Sequence, residues 1–177
     1  MRCPVLLAAL LVPALSWAQS PGQEALLDRT DNIALWSLDP GREFPGADGK
    51  VSLAAEAAVG PCVRLDYSFA GGGNYVTAAR ALALPQASAV VFSVRQEGNN
   101  RGFVRVADAS GQEHMGGYTA GAEWQRVTLP LDEKGFPGHY GGQNDGRFAF
   151  PLKRIIIGVH KGASLTGAVF IKNLAFV

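Results

Sequence analysis

Glycine and proline recur so often along this chain that long helices have no room to form: 22 Gly and 10 Pro fall among 177 residues. Pro40-Gly41, Pro45-Gly46, Asp48-Gly49, Gly71 to Gly73, Ser110-Gly111, Pro137-Gly138 and Gly141-Gly142 supply turn chemistry, because glycine reaches positive φ without strain and proline fixes the φ of a turn. Beyond the N-terminal stretch no window keeps helical apolar spacing for three turns. The pieces between the turns read as strands: Ile33 to Leu38, Lys50 to Ala55, Cys62 to Phe69, Tyr75 to Ala79, Ala89 to Glu97, Gly102 to Ala107, Trp124 to Leu131, Arg154 to His160 and Ala168 to Val177. The chain is therefore expected to be all-β, a jelly-roll or similar β-sandwich of two antiparallel sheets.

Alternation with period two assigns faces. Val63, Leu65, Tyr67 and Phe69 share one side of their strand, against Cys62, Arg64, Asp66 and Ser68 on the other. Val90, Phe92 and Val94 likewise oppose Val91, Ser93 and Arg95, and Val104 and Val106 oppose Phe103, Arg105 and Ala107. The apolar rows are the expected core. Arg64, Asp66, Arg95 and Arg105 then form either a solvated outer face or, if their strands are neighbours, an ion-paired platform for sugar.

Residues 1–18, MRCPVLLAALLVPALSWA, have the form of a signal peptide, with Arg2 as the positive start, Val5 to Leu15 as the apolar run, and the small residues Ser16 and Ala18 before the cut. That run is too short to cross roughly 30 Å of hydrocarbon. A secreted or periplasmic protein without a membrane partner is expected, with a flexible lead-in over residues 19–25 and one domain over 26–177. The chain carries 16 Lys plus Arg against 15 Asp plus Glu, and loss of Arg2 leaves it formally neutral. Such a balance argues against nucleic acid, whose affinity comes chiefly from surplus cations. Loss of Cys3 leaves Cys62 as a lone cysteine, expected to pack as a small buried residue.

Particular segments carry a resemblance. These are Trp36 to Gly49 with its Pro-Gly and Asp-Gly turns, Gly60, Arg64-Leu-Asp-Tyr-Ser-Phe69, Gly-Gly-Gly-Asn-Tyr-Val76, Gly-Gly-Gln-Asn-Asp-Gly146 and the closing Val-Phe-Ile-Lys-Asn-Leu-Ala-Phe176. Together they resemble the galactose-binding-like β-sandwich modules attached to secreted bacterial glycoside hydrolases, over nearly all of residues 19–177. The resemblance implies a non-catalytic module that binds polysaccharide or oligosaccharide, with a glycoside hydrolase or other secreted protein as a companion. It also implies a structural calcium ion near the chain ends. Asp28 and Glu43 are the early candidate ligands, and Asn173 stands where the family places an acid.

A pyranose presents a C–H face that stacks on aromatic rings, while its hydroxyls bond to polar side chains. Tyr75, Tyr118, Trp124 and Tyr140 are the candidate rings. Arg64, Asp66, Arg95, Arg105, Asn144, Asp145 and His160 are the candidate polar contacts. Asn144-Asp145-Gly146 has a second reading, as a turn that satisfies its own backbone. No Gly-x-Ser-x-Gly, His-Glu-x-x-His or phosphate-binding glycine loop is present. Two other functions fit the same fold: a structural or protein-interaction sandwich, and a jelly-roll polysaccharide lyase using Tyr as base with Arg or His to neutralise a uronate.

Overall fold

A computed structural model describes residues 25–26, 32–56 and 60–177. The expected signal peptide with its cleavage site, and Asp28, lie outside the described residues. The strands are β1 (Ala25–Leu26), β2 (Trp36–Asp39), β3 (Asp48–Glu56), β4 (Gly60–Ser68), β5 (Tyr75–Leu84), β6 (Ala89–Glu97), β7 (Gly102–Ala107), β8 (Glu113–Tyr118), β9 (Gln125–Pro130), β10 (Gly138–Tyr140), β11 (Leu152–His160) and β12 (Thr166–Phe176). They form two antiparallel sheets. The first runs β3-β4-β12-β6-β9 with β1 also on β12, and the second runs β10-β8-β7-β11-β5-β2. This is the expected all-β sandwich.

The core lies between the sheets, where apolar rows meet as the alternation requires. Val63, Leu65, Tyr67, Phe69, Val90, Phe92 and Val94 from the first sheet pack with Val104, Val106, Ile155, Ile157 and Val159 from the second. Burying such side chains contributes about 1.5 to 3 kcal/mol each before ordering costs are deducted. Cys62 is fully buried outside this core, in a second cluster with Ala168 and Phe170 on the outer side of the first sheet.

The elements differ from the sequence expectation at two kinds of place. Ile33–Leu35 is a 3-10 turn rather than strand, begun by the Asn32 carboxamide oxygen accepting from the Ala34 amide at 3.2 Å. Strands β8 and β10 had no counterpart in the pattern, because both are rich in glycine. Their glycines serve packing instead: a Cβ at Gly116 would collide with the carbonyl of Gly135. No helix among the described residues is long and apolar enough to cross a membrane.

One buried polar cluster fixes the β8–β10 end of the second sheet. Asp108 Oδ1 accepts from the amides of Ser110 and Gln112 at 2.9 and 3.1 Å and from the Ser110 hydroxyl at 2.7 Å. Its Oδ2 accepts from the Ala149 amide at 3.1 Å and lies 3.1 Å from Nε2 of buried His114. Burial pushes the Asp108 carboxyl up. The donors from Ser110, Ala149, His114 and Gln112 outweigh that and hold it below the usual carboxylate range.

Candidate functional site

The outward face of the second sheet is built by register. His160 of β11 lies opposite Tyr75 of β5, Phe103 of β7 lies between Gly158 and Gly117, and Arg105 lies between Ile156 and Met115, with Gly138 beyond. Side chains two residues apart share a face, so Phe103 and Arg105 point the same way. Gly117, Gly138 and Gly158 put no side chain beside them. The floor stays low, and a cleft of about 540 Å³ opens over it. That volume is in the range of small-ligand sites.

Phe103 is the floor. The His160 ring stacks on it at 4.3 Å with a 29° tilt, and Tyr75 meets it edge-on at 5.9 Å. Phe44 approaches Tyr75 from the opposite side at 6.4 Å, and Gly41, at φ 65°, leaves space for the Tyr75 ring only 3.0 Å from where a Cβ would stand. The Arg105 guanidinium lies over both Tyr75 at 4.8 Å and Phe103 at 5.0 Å, and donates to the Tyr140 hydroxyl at 3.1 Å. Tyr140 in turn donates to Glu113 at 3.4 Å, and Glu113 also accepts from Arg154. Apolar ring faces thus lie beside hydroxyl, imidazole and guanidinium edges.

Electrostatics within the cleft follow from these contacts. The Tyr75 hydroxyl donates to Glu43, and that bond, with Glu43's own backbone, outweighs desolvation to hold the Glu43 carboxyl below its usual range. Burial and the Glu43 bond push Tyr75 up, against the pull of Arg105. His160 is pushed down by burial and by the positive charges of Arg101 and Arg105. A neutral imidazole follows, which keeps one donor and one acceptor for a ligand.

Of the sequence candidates, Tyr75, Arg105, Tyr140 and His160 therefore come together. Arg64, Asp66 and Arg95 do not join them, because Arg105 belongs to the other sheet. On the first sheet Arg64 pairs with Asp66 at 2.6 Å, Arg95 pairs with Glu56 and Glu97 at 3.0 Å, and both guanidiniums lie over Phe170, at 5.1 and 3.9 Å. Trp124 packs against the Cys62 and Phe170 cluster on that same side. Tyr118 is a correction: it faces the core, edge-on to Phe92 at 5.6 Å, its hydroxyl donates to the Gly158 carbonyl at 3.2 Å, and burial pushes its pKa out of reach of ordinary pH.

Asn144 and Asp145 follow the turn reading. Asn144 sits at φ 52° with its carboxamide oxygen 2.9 Å from His139 Nδ1, and Asp145 accepts from the Arg147 amide at 2.9 Å and from Gln112 at 3.4 Å. Asp145 borders a second hollow, of about 620 Å³, beside Phe136 and Phe148. Nor do the described calcium candidates converge. Glu43 is held by Tyr75 above the second sheet, whereas Asn173, at φ 53°, occupies the bulge of β12 in the first. They do not fit a shared calcium site, and no group of three His, Cys, Asp or Glu suited to a metal is found among the described residues.

Several cleft residues were not among the sequence candidates, Phe44, Asn74, Arg101, Phe103 and Met115 among them. Phe103 did carry a signal, as an aromatic residue on an outward row. Arg101 precedes β7 and Met115 lies in glycine-rich β8, so neither showed an alternation to read.

No protein-family profile and no curated protein matches the chain. Solved structures do. The family 11 carbohydrate-binding module of the cellulosomal cellulase Lic26A-Cel5E of Clostridium thermocellum is 15% identical, with a TM-score of 0.69 over 89% of this chain and 96% of that one. A family 11 module from Clostridium thermocellum in complex with a β-1,3-1,4-mixed-linked tetrasaccharide is also 15% identical, with a TM-score of 0.68 over 87% and 95%. An exo-β-agarase matches over 84% of this chain and 24% of its own, at 10% identity and a TM-score of 0.57. The chain has the β-sandwich fold of these carbohydrate-binding modules.

Proposed function

We propose that this protein is an exported, non-catalytic carbohydrate-binding module whose ligand lies in the cleft on the second sheet. The observation that carries this reading is the cleft in which the exposed rings of Tyr140 and Phe44 stand beside His160 and Arg105, over the buried rings of Phe103 and Tyr75. Rings offer the apolar face of a pyranose a partner, and the surrounding edges offer its hydroxyls directional bonds. The fold shared with a module that holds a mixed-linked tetrasaccharide supports the same reading. So does the presence of that fold within an exo-β-agarase, which suggests a glycoside hydrolase as companion. Export rests on the signal-peptide form of residues 1–18.

Lyase chemistry gains less support. A Tyr base must lose its proton readily, whereas burial and the bond to Glu43 push Tyr75 the other way. The test is calorimetry with a panel of oligosaccharides, including the β-1,3-1,4-linked tetrasaccharide. Saturable binding is expected, weakened by about 1 to 2 kcal/mol in Tyr140→Ala. No reducing ends and no unsaturated uronate should be released. Failure to bind any glycan, or turnover abolished by a single Tyr, His or Arg substitution, overturns the proposal.

A further inference from the structure

The cleft's charges are unbalanced. Of the acids near it, Glu43 is engaged by the Tyr75 hydroxyl and Glu113 by Arg154 and Tyr140, and neither lines the cleft surface. Arg101 and Arg105 both line it, and among the described residues neither has an acid at ion-pair distance. Arg101 has no side-chain hydrogen bond to any described residue. Its guanidinium instead lies over Gly117, 3.5 Å from where a Cβ would stand, so the missing side chain there gives it a place at the cleft floor. Both arginines act on His160 through space, which places two positive charges around one point beside the stacking ring.

We propose, building on the carbohydrate reading above, that the cleft selects sugar chains bearing acidic groups, with a carboxylate or sulfate seated against Arg101 beside His160 and reinforced by Arg105. A guanidinium offers a planar fork of donors that matches either anion. His160, whose charged form is disfavoured by burial and then by those arginines, can donate one hydrogen bond to the anion or its neighbouring hydroxyl. The apolar face of the same sugar rests on the exposed Tyr140 ring at the cleft wall, while Phe103 lies beneath His160 and seats it.

The experiment compares three oligosaccharides of equal length by calorimetry: the neutral β-1,3-1,4-glucan tetrasaccharide, a tetragalacturonate carrying carboxylates, and a sulfated galactose tetrasaccharide. An acidic ligand is expected to bind about tenfold to a hundredfold tighter than the neutral one, with the better of the two identifying the anion. Arg101→Gln should remove most of that advantage and weaken neutral binding far less. Raising salt to 1 M should shrink the advantage too. Arg64→Gln, on the other sheet, should leave all three affinities as they were. Equal affinity for acidic and neutral ligands, or equal weakening of both by Arg101→Gln, overturns this inference while the carbohydrate reading stands. Binding of none of the three, or of any other glycan, overturns both.

Discussion

On the first sheet Arg64 meets Asp66 at 2.6 Å and Arg95 meets Glu56 and Glu97 at 3.0 Å, whereas on the second Arg101 and Arg105 face the cleft with no described acid at that distance. Both sheets also carry an outward phenylalanine under guanidinium groups, Phe170 on one and Phe103 on the other. The difference lies in what surrounds the ring. Both rings are buried, Phe170 at 1% and Phe103 at 5%, but Phe170 is closed over by Arg64, Arg95, Trp124 and Cys62, while glycines beside Phe103 leave a cleft next to it, bordered by exposed Phe44 and Tyr140. Similar residues finish one surface and leave the other able to take a ligand.

The largest effect should come from beneath the open face. Asp108 ties residues 110, 112, 114 and 149 together beside β8 and β10, the strands that carry Met115 and Tyr140. Replacing it by Ala takes the acceptor from the Ser110 and Ala149 amides and leaves His114 Nε2 with Gln112 alone, and should cost about 3 kcal/mol in denaturant unfolding. Its folded pKa is depressed, so its contribution is present above the unfolded value near 3.9 and is lost as pH falls through the folded value. Asp108→Asn should therefore flatten the acid limb of the stability curve below about pH 4. An unchanged acid limb would remove Asp108 as its cause.

Next in size is the ring itself. Phe103→Leu should weaken glycan binding by about 1 to 2 kcal/mol, since it removes the ring that seats His160 and Arg105 but keeps an apolar side chain. Phe170→Leu should lower the melting temperature, because its ring is buried, while glycan affinity stays unchanged. If Phe170→Leu weakened binding as much as Phe103→Leu, the distinction between the two faces would collapse.

How much of this was readable beforehand follows from the same residues. The core rows of β4, β6 and β7 are branched or aromatic at every second position, opposite rows that carry Arg64, Asp66, Ser93, Arg95 and Arg105, so their faces were legible at once. Tyr75, Arg105, Tyr140 and His160 were legible as chemistry but not as a cluster. Their meeting depends on β11 lying between β5 and β7, an order that alternation does not encode. Arg64, Asp66 and Arg95 failed as partners of Arg105 for that reason. Strands β8 and β10 were hidden because glycine serves turn and close-packed strand alike, and Gly116 is there to clear a backbone carbonyl. Tyr118 failed as a sugar contact because its strand gave no face to read.

A smaller effect concerns His160. Its charged form is disfavoured in the folded protein by burial, Arg101 and Arg105, so stability falls as pH drops through the unfolded value near 6.5, and levels off below the folded one. Arg101→Gln should raise the midpoint of the His160 ring signals in a proton NMR titration, and Arg64→Gln should not move it. A midpoint indifferent to Arg101 would mean that the two do not share the cleft.

The smallest effect belongs to the closed face. The Arg64 and Asp66 side chains are both 37% exposed, so water screens their attraction and ordering two long groups offsets much of what remains. Asp66→Ala should lower stability by about 0.2 to 1 kcal/mol, towards the low end because Arg64 keeps its position over Phe170. Loss of Asp66 also frees a guanidinium on the first sheet, as Arg101 is free on the second. If an unpaired arginine beside an aromatic ring were enough to hold an acidic sugar, Asp66→Ala would gain a second binding site in calorimetry. None is expected, since Phe170 has no open floor beside it, and the stoichiometry should stay at one.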